Sequence, residues 1–251
     1  MIVQGVALVG TTVVDHPPVV STGLQQYYDI GNASSYSGSG TTVTDLSGSG
    51  YGTGTLVNTP TYTSAGVNGS KSYMSFDAAS SEYFYTPNLY SMVTGTLNVT
   101  MEVWVRTSAD NGVVVSEQGT SPFNSGWHDS QIEIVSGNLK ATVWPYTAVL
   151  PTAGTVAVTR NTWQQYVLTY DNTTTTQKLY LNGALVPNGT GVKTRSWGGT
   201  ALYYALFFAD FTNLGDGSYL TCDWSIFRVY NRALTAAEVL QNYQAESGRY
   251  S

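Results

Sequence analysis

The chain has 251 residues, charged residues make up only 10% of it, and the formal net charge is −6. With Lys71 as the first basic residue, no basic stripe exists to neutralise phosphates or anionic lipid, so partnership with nucleic acid or a membrane surface is excluded as an expectation. Cys222 is the sole cysteine and His16 and His128 are the only histidines, which leaves no intrachain disulfide and no Cys/His zinc site. In chain order, residues 1–22 come first. They are rich in Val and Thr and break at His16-Pro17-Pro18, which favours an extended connection. They read as an N-terminal arm or docking strand belonging to the mature protein, with residues 23–251 as the folded body. Residues 31–70 are dense in Gly, Ser, Thr and Asn, but Tyr36, Tyr51, Tyr62 and Leu56-Val57 interrupt them. The expectation is long ordered loops with brief strands.

From residue 72 the apolar period becomes two. Val99, Met101, Val103 and Val105 alternate with Thr100, Glu102 and Arg106, the pattern of a half-buried strand. Segments 163–170 and 177–181 follow, and Asn182-Gly183 supplies a hairpin turn for Lys178–Val186. Further strands are expected near 72–77, 82–86, 112–117, 131–135, 139–144, 155–159, 202–209 and 223–230. One helix is expected. Thr235-Ala236-Ala237-Glu238 fits a capping box, and Val239, Leu240 and Tyr243 form an apolar stripe that ends near Ala245. About a dozen short strands joined by Gly-rich loops predict an all-β antiparallel sandwich with one short C-terminal helix.

Candidate chemistry is sparse. Glycoside hydrolysis needs two carboxylates about 5–10 Å apart. The strand Gln131-Ile132-Glu133-Ile134-Val135 offers only Glu133 on its face with Gln131 and Val135. His128 has no nucleophile-elbow motif beside it. Catalysis is therefore not expected. Aromatic faces stack on sugar rings and are also ordinary core material. Trp104, Trp163 and Trp224 read as core, whereas Trp127 and Trp197 lie in polar, Gly-containing loops and Trp144-Pro145-Tyr146 ends a strand. The candidate carbohydrate-binding set is Trp127, His128, Asp129, Tyr146 and Trp197. No cofactor is expected. The candidate calcium ligands are Asp45, Asp210 and Asp216, without a D-x-D-x-D cluster.

Trp224-Ser225-Ile226-Phe227-Arg228-Val229-Tyr230-Asn231-Arg232-Ala233-Leu234-Thr235, with the helix that follows, resembles the closing signature of laminin G-like, concanavalin A-like jelly rolls. Met101-Glu102-Val103-Trp104-Val105 resembles that family's Trp-bearing strand, and Trp163–Asp171 with Lys178–Gly183 its central hairpin. Gly23–Asp29, Asp45–Gly48 and Met74–Asp77 resemble the first strands of versions encoded by phages and large viruses. The resemblance implies a concanavalin A-like jelly roll over about residues 23–245, a fold that carries lectins, hydrolases and structural proteins alike. The leading expectation is a virion structural protein: a capsid decoration, fibre or tail component. It would form a homo-oligomer, with other virion subunits as partners and its arm docked on a neighbour. The alternative is a carbohydrate-binding module at an extracellular or cell surface. A glycoside hydrolase comes third.

Overall fold

The computed structural model describes residues 17–64, 72–144, 148–210 and 214–250. Within them lie fifteen strands: β1 (Leu24–Asp29), β2 (Thr42–Val43), β3 (Gly54–Val57), β4 (Thr61–Thr63), β5 (Tyr73–Phe76), β6 (Tyr83–Tyr85), β7 (Val99–Arg106), β8 (Gly112–Gln118), β9 (His128–Val135), β10 (Asn138–Ala141), β11 (Gln164–Asp171), β12 (Thr176–Leu181), β13 (Ala184–Val192), β14 (Tyr203–Leu206) and β15 (Cys222–Tyr230). They form two antiparallel sheets. Sheet one runs β13-β12-β11-β7-β15-β5-β4 with β1 also on β15, and sheet two runs β10-β9-β8-β14-β6-β3-β2. This is the expected sandwich. The brief strands expected in the Gly- and Ser-rich stretch are β2, β3 and β4. Residues 155–159 form only an isolated bridge, Ala157 to Asn138.

The signature segment sits at the centre of sheet one, not at its edge. One side of β15 pairs with β7 along Asp223–Tyr230. The other side is shared, with Cys222–Trp224 on β5 and Ile226–Tyr230 on β1. The helix α2 (Ala236–Ser247) therefore covers a face of the sheet rather than an open edge. It begins as expected: the Thr235 side chain accepts from the Glu238 backbone and Glu238 bonds back, a complete capping box. Arg232 then grips Glu238 through both guanidinium nitrogens, at 2.9 and 2.7 Å. A second helix, α1 (Tyr90–Gly95), was not expected; six residues are too few to show a helical period.

The cover explains why β7 is buried on both faces and not half-buried as its alternation predicts. Val99, Met101, Val103 and Val105 point between the sheets into the main core. On the opposite face, Trp104 is stacked under Tyr243 at 5.6 Å and Tyr250 at 4.7 Å. Glu102 is fully buried there. It accepts from Arg228 at 3.0 Å, from Gln165 at 2.9 Å and, through its second oxygen, from Asn242 of α2 at 2.7 Å. Arg228 also pairs with Glu246, and Arg249 grips Asp29 at 2.6 and 3.0 Å. Arg228 thus holds two carboxylates, Glu102 and Glu246, under the helix. Burying these charges is tolerable only because each is paired and hydrogen-bonded. The last residues of the arm are tied to the same helix. Val20 donates its backbone N–H to Asn242 at 2.8 Å and packs with Leu234 and Val239. Leu240, predicted to lie on this buried stripe, is exposed.

Candidate functional site

The outer face of sheet two carries a cluster of aromatic side chains. In β6 the triplet Tyr83-Phe84-Tyr85 alternates: Phe84 is fully buried in the core, which sends both tyrosines outward. Register extends that face across the sheet. Tyr85 lies opposite Ala205 of β14, Tyr203 opposite Gln118 of β8, and Gln118 opposite His128 of β9. The connection from β8 to β9, residues 119–127, then folds back and lays Phe123 over the tyrosines. Its ring centroid is 5.4 Å from Tyr85, 5.4 Å from Tyr203 and 5.5 Å from Phe208. Tyr83 closes the ring of contacts 4.7 Å from Phe208. Between these rings and Ser121-Pro122 lies an open cavity of about 520 Å³. That volume falls within the range of about 300–1,000 Å³ usual for small-molecule sites.

Polar bonds beneath the aromatics hold the loop. Asn124, in a left-handed conformation, donates its backbone N–H to Gln118 Oε1 and its amide Nδ2 to the Ala209 carbonyl, each at 2.9 Å. Gln118 Nε2 in turn donates to Asp210 Oδ2 at 2.9 Å, and His128 Nδ1 meets Asp210 Oδ1 at 2.7 Å. The start of the loop is cinched against the connection from β13 to β14, where Gly119 and Gly199 touch backbone to backbone. A Cβ on Gly199 would lie 2.6 Å from Gly119 Cα, so neither position accepts a side chain without displacing a strand.

The five residues singled out in the sequence are distributed differently. Trp127 and Trp197 do meet, at 4.0 Å, with Trp144 4.9 Å from Trp127. They form a half-buried tryptophan cluster that packs on itself and on Gly198, apart from the cavity lining. His128 faces the same side as Gln118 and Tyr203, and its Nδ1 is taken by Asp210. Asp129 points the other way, into the interior, opposite Glu117. Tyr146 lies outside the described residues. Sequence reasoning missed Tyr83, Tyr85, Phe123, Tyr203 and Phe208. The available signal was Tyr83-Phe84-Tyr85, an alternation that puts Phe84 on one face and both tyrosines on the other.

Asp129 and Glu117 belong to a sealed charged cluster. Lys193, Arg195 and Trp197 alternate inward along the crossing from β13 to β14, with Thr194 and Ser196 outward. Arg195 pairs with Glu117, both fully buried. Lys193 donates to Thr142 Oγ1 at 2.9 Å. Both Asp129 oxygens lack a hydrogen-bond partner. Burial pushes this carboxyl up to about 9, and the charges of Asp210 and Glu117 add to the effect. Burial also raises the Glu117 carboxyl and lowers the Lys193 amine to about 8. None of these groups reaches the cavity, and among the described residues no carboxylate lines it. Asp45, Asp210 and Asp216 are spent on loop bonds, to Tyr27 and Ser47, to Gln118 and His128, and to Ser218 respectively. Among the described residues no group of three or more His, Cys, Asp or Glu side chains is placed to hold a metal.

Residues 76–240 match the family model of the concanavalin A-like lectin/glucanases superfamily. The chain belongs to that superfamily. The matched segment contains β6 to β15 and the strand–turn–helix signature as far as Leu240. No curated protein matches the chain. Solved structures share its fold at low identity. A Trypanosoma rangeli sialidase in complex with sialic acid aligns with a TM-score of 0.62 at 11% identity, over 95% of this chain and 37% of the sialidase. Domain 4 of AbnA, a GH43 extracellular arabinanase from Geobacillus stearothermophilus in complex with arabinotriose, aligns with a TM-score of 0.53 at 17% identity, over 88% of this chain and 98% of that domain. The binding domain of botulinum neurotoxin DC in complex with SialylT gives 0.58 at 10% identity, over 90% of this chain and 52% of that domain. The chain thus spans little more than a third of the sialidase. The fold is shared by enzymes and by binding domains.

Proposed function

We propose that the aromatic cavity on the outer face of sheet two binds saccharides and that the chain is a non-catalytic carbohydrate-binding module. The observation that carries this reading is the Phe123 loop. It holds an aromatic ring over three outward tyrosine and phenylalanine rings, on a polar floor that fixes its position. Such a site offers flat apolar faces for the C–H side of a sugar and phenolic hydroxyls for its hydroxyl groups. The lining among the described residues is aromatic, Ser and Pro without a carboxylate, which supports binding over hydrolysis. Isothermal titration against a saccharide panel tests it, with Phe123→Ala as the site variant. Binding by the parent chain that Phe123→Ala abolishes supports the site, whereas binding that survives unchanged places it elsewhere.

The virion reading joins this one as the setting. A capsid decoration, fibre or tail subunit at a virion surface would use the module for attachment and associate as a homo-oligomer. Its support is the resemblance of Gly23–Asp29, Asp45–Gly48 and Met74–Asp77 to viral versions of the fold. Deletion of residues 1–20 should then prevent incorporation into particles while leaving a folded body. Normal incorporation of the truncated chain refutes the docking role of the arm.

A further inference from the structure

We infer that the cavity takes a neutral saccharide and discriminates against sialylated, uronic and sulfated ones; this rests on the saccharide-binding reading above. Recognition of a carboxylate or sulfate calls for a cation or a converging set of donors at the site. The chain has ten lysines and arginines, of which Lys71 lies outside the described residues, and none of the other nine lines the cavity. All six arginines are committed to carboxylates elsewhere: Arg106 to Asp223, Arg160 to Asp110, Arg195 to Glu117, Arg228 to Glu102, Arg232 to Glu238 and Arg249 to Asp29. Lys193 is interior, Lys178 lines a separate groove beside Asp171, and Lys140 stands near Gly215.

The groups that do face this region disfavour an anion. Asp210 is a buried carboxylate two residues from Phe208, beneath Gln118. His128, on the same face as Gln118, meets that carboxylate through Nδ1. Aromatic faces carry the negative side of their quadrupole, which attracts C–H groups and repels anions. The net charge of −6 sets the same sign at long range. Selectivity therefore follows from what the rings present and from where the cations have been spent.

The test uses the full chain against matched oligosaccharide pairs, each neutral glycan beside its sialylated or sulfated form. The neutral member should bind about tenfold or more tightly, a difference of about 1.4 kcal/mol. Its affinity should change less than about twofold between low and high salt, because no ion pair is there to be screened. Ser121→Arg, which places a cation on the exposed rim, should strengthen binding of the sialylated member. Preference for the charged members, with affinity that falls in salt, overturns the inference and leaves saccharide binding standing. Silence toward both members in a chain shown to be folded by its circular dichroism overturns the saccharide reading itself.

Discussion

Replacing Asp129 with Asn tests the interior cluster directly. Asp129 is fully buried, neither carboxylate oxygen has a hydrogen-bond partner, and burial raises its pKa from 3.8 to about 9. Between those two values the folded chain keeps a proton that the unfolded chain has released. Stability therefore falls as pH rises through that window, by about 1.4 kcal/mol for each pH unit. At pH 7 the accumulated cost is about 4 kcal/mol, a large part of the roughly 5–15 kcal/mol that holds a typical domain together. Asn cannot ionise and keeps nearly the same shape. The variant should match the parent near pH 4 and exceed it by about 4 kcal/mol at pH 7. Glu117 and Glu133, also raised by burial, leave a residual slope of the same sign in both proteins. Lys193, lowered to about 8, contributes the opposite slope only at higher pH. Urea midpoints measured from pH 4 to pH 8 for the two proteins supply the comparison. Parallel curves, or an Asn variant less stable at pH 7, refute the assignment of an uncompensated Asp129 carboxyl.

Three further outcomes are expected. Phe123→Ala and Tyr203→Ala should each weaken saccharide binding about tenfold or more, with melting temperatures near the parent's, because both rings are only half-buried. Arg228→Ala should cost about 3–5 kcal/mol in chemical denaturation, since it leaves Glu102 and Glu246 buried without their shared cation. Gly199→Ala should destabilise by about 1–3 kcal/mol and shift tryptophan emission, because the new methyl collides with Gly119 beside the Trp127–Trp197 pair; an unchanged emission spectrum counts against that contact.

The local pattern determined much of this protein. Period-two alternation marks β7, β11 and β12, Asn182-Gly183 marks the hairpin, and Thr235 with Glu238 marks the start of α2, since each is a rule acting within a few residues. The signature from Trp224 to Thr235 identified the jelly roll in the same way. What the chain alone left undecided depends on contacts between distant segments. That β15 is central, and that Glu102 and Arg228 are buried partners, follows only once α2 lies across sheet one. The direction of Asp129 was likewise out of reach. Register irregularities between β8 and β9 at Val115 break the alternation that leads from the core residues Ile132 and Ile134 to Asp129, which still faces inward opposite Glu117. Alternation counted along one strand does not reveal a shift in its neighbour. The cavity shows the limit most plainly. Tyr83, Phe123 and Tyr203 are spread over 120 positions of the sequence, and only the packing of Phe84 into the core and the fold-back of the 119–127 loop make them one surface.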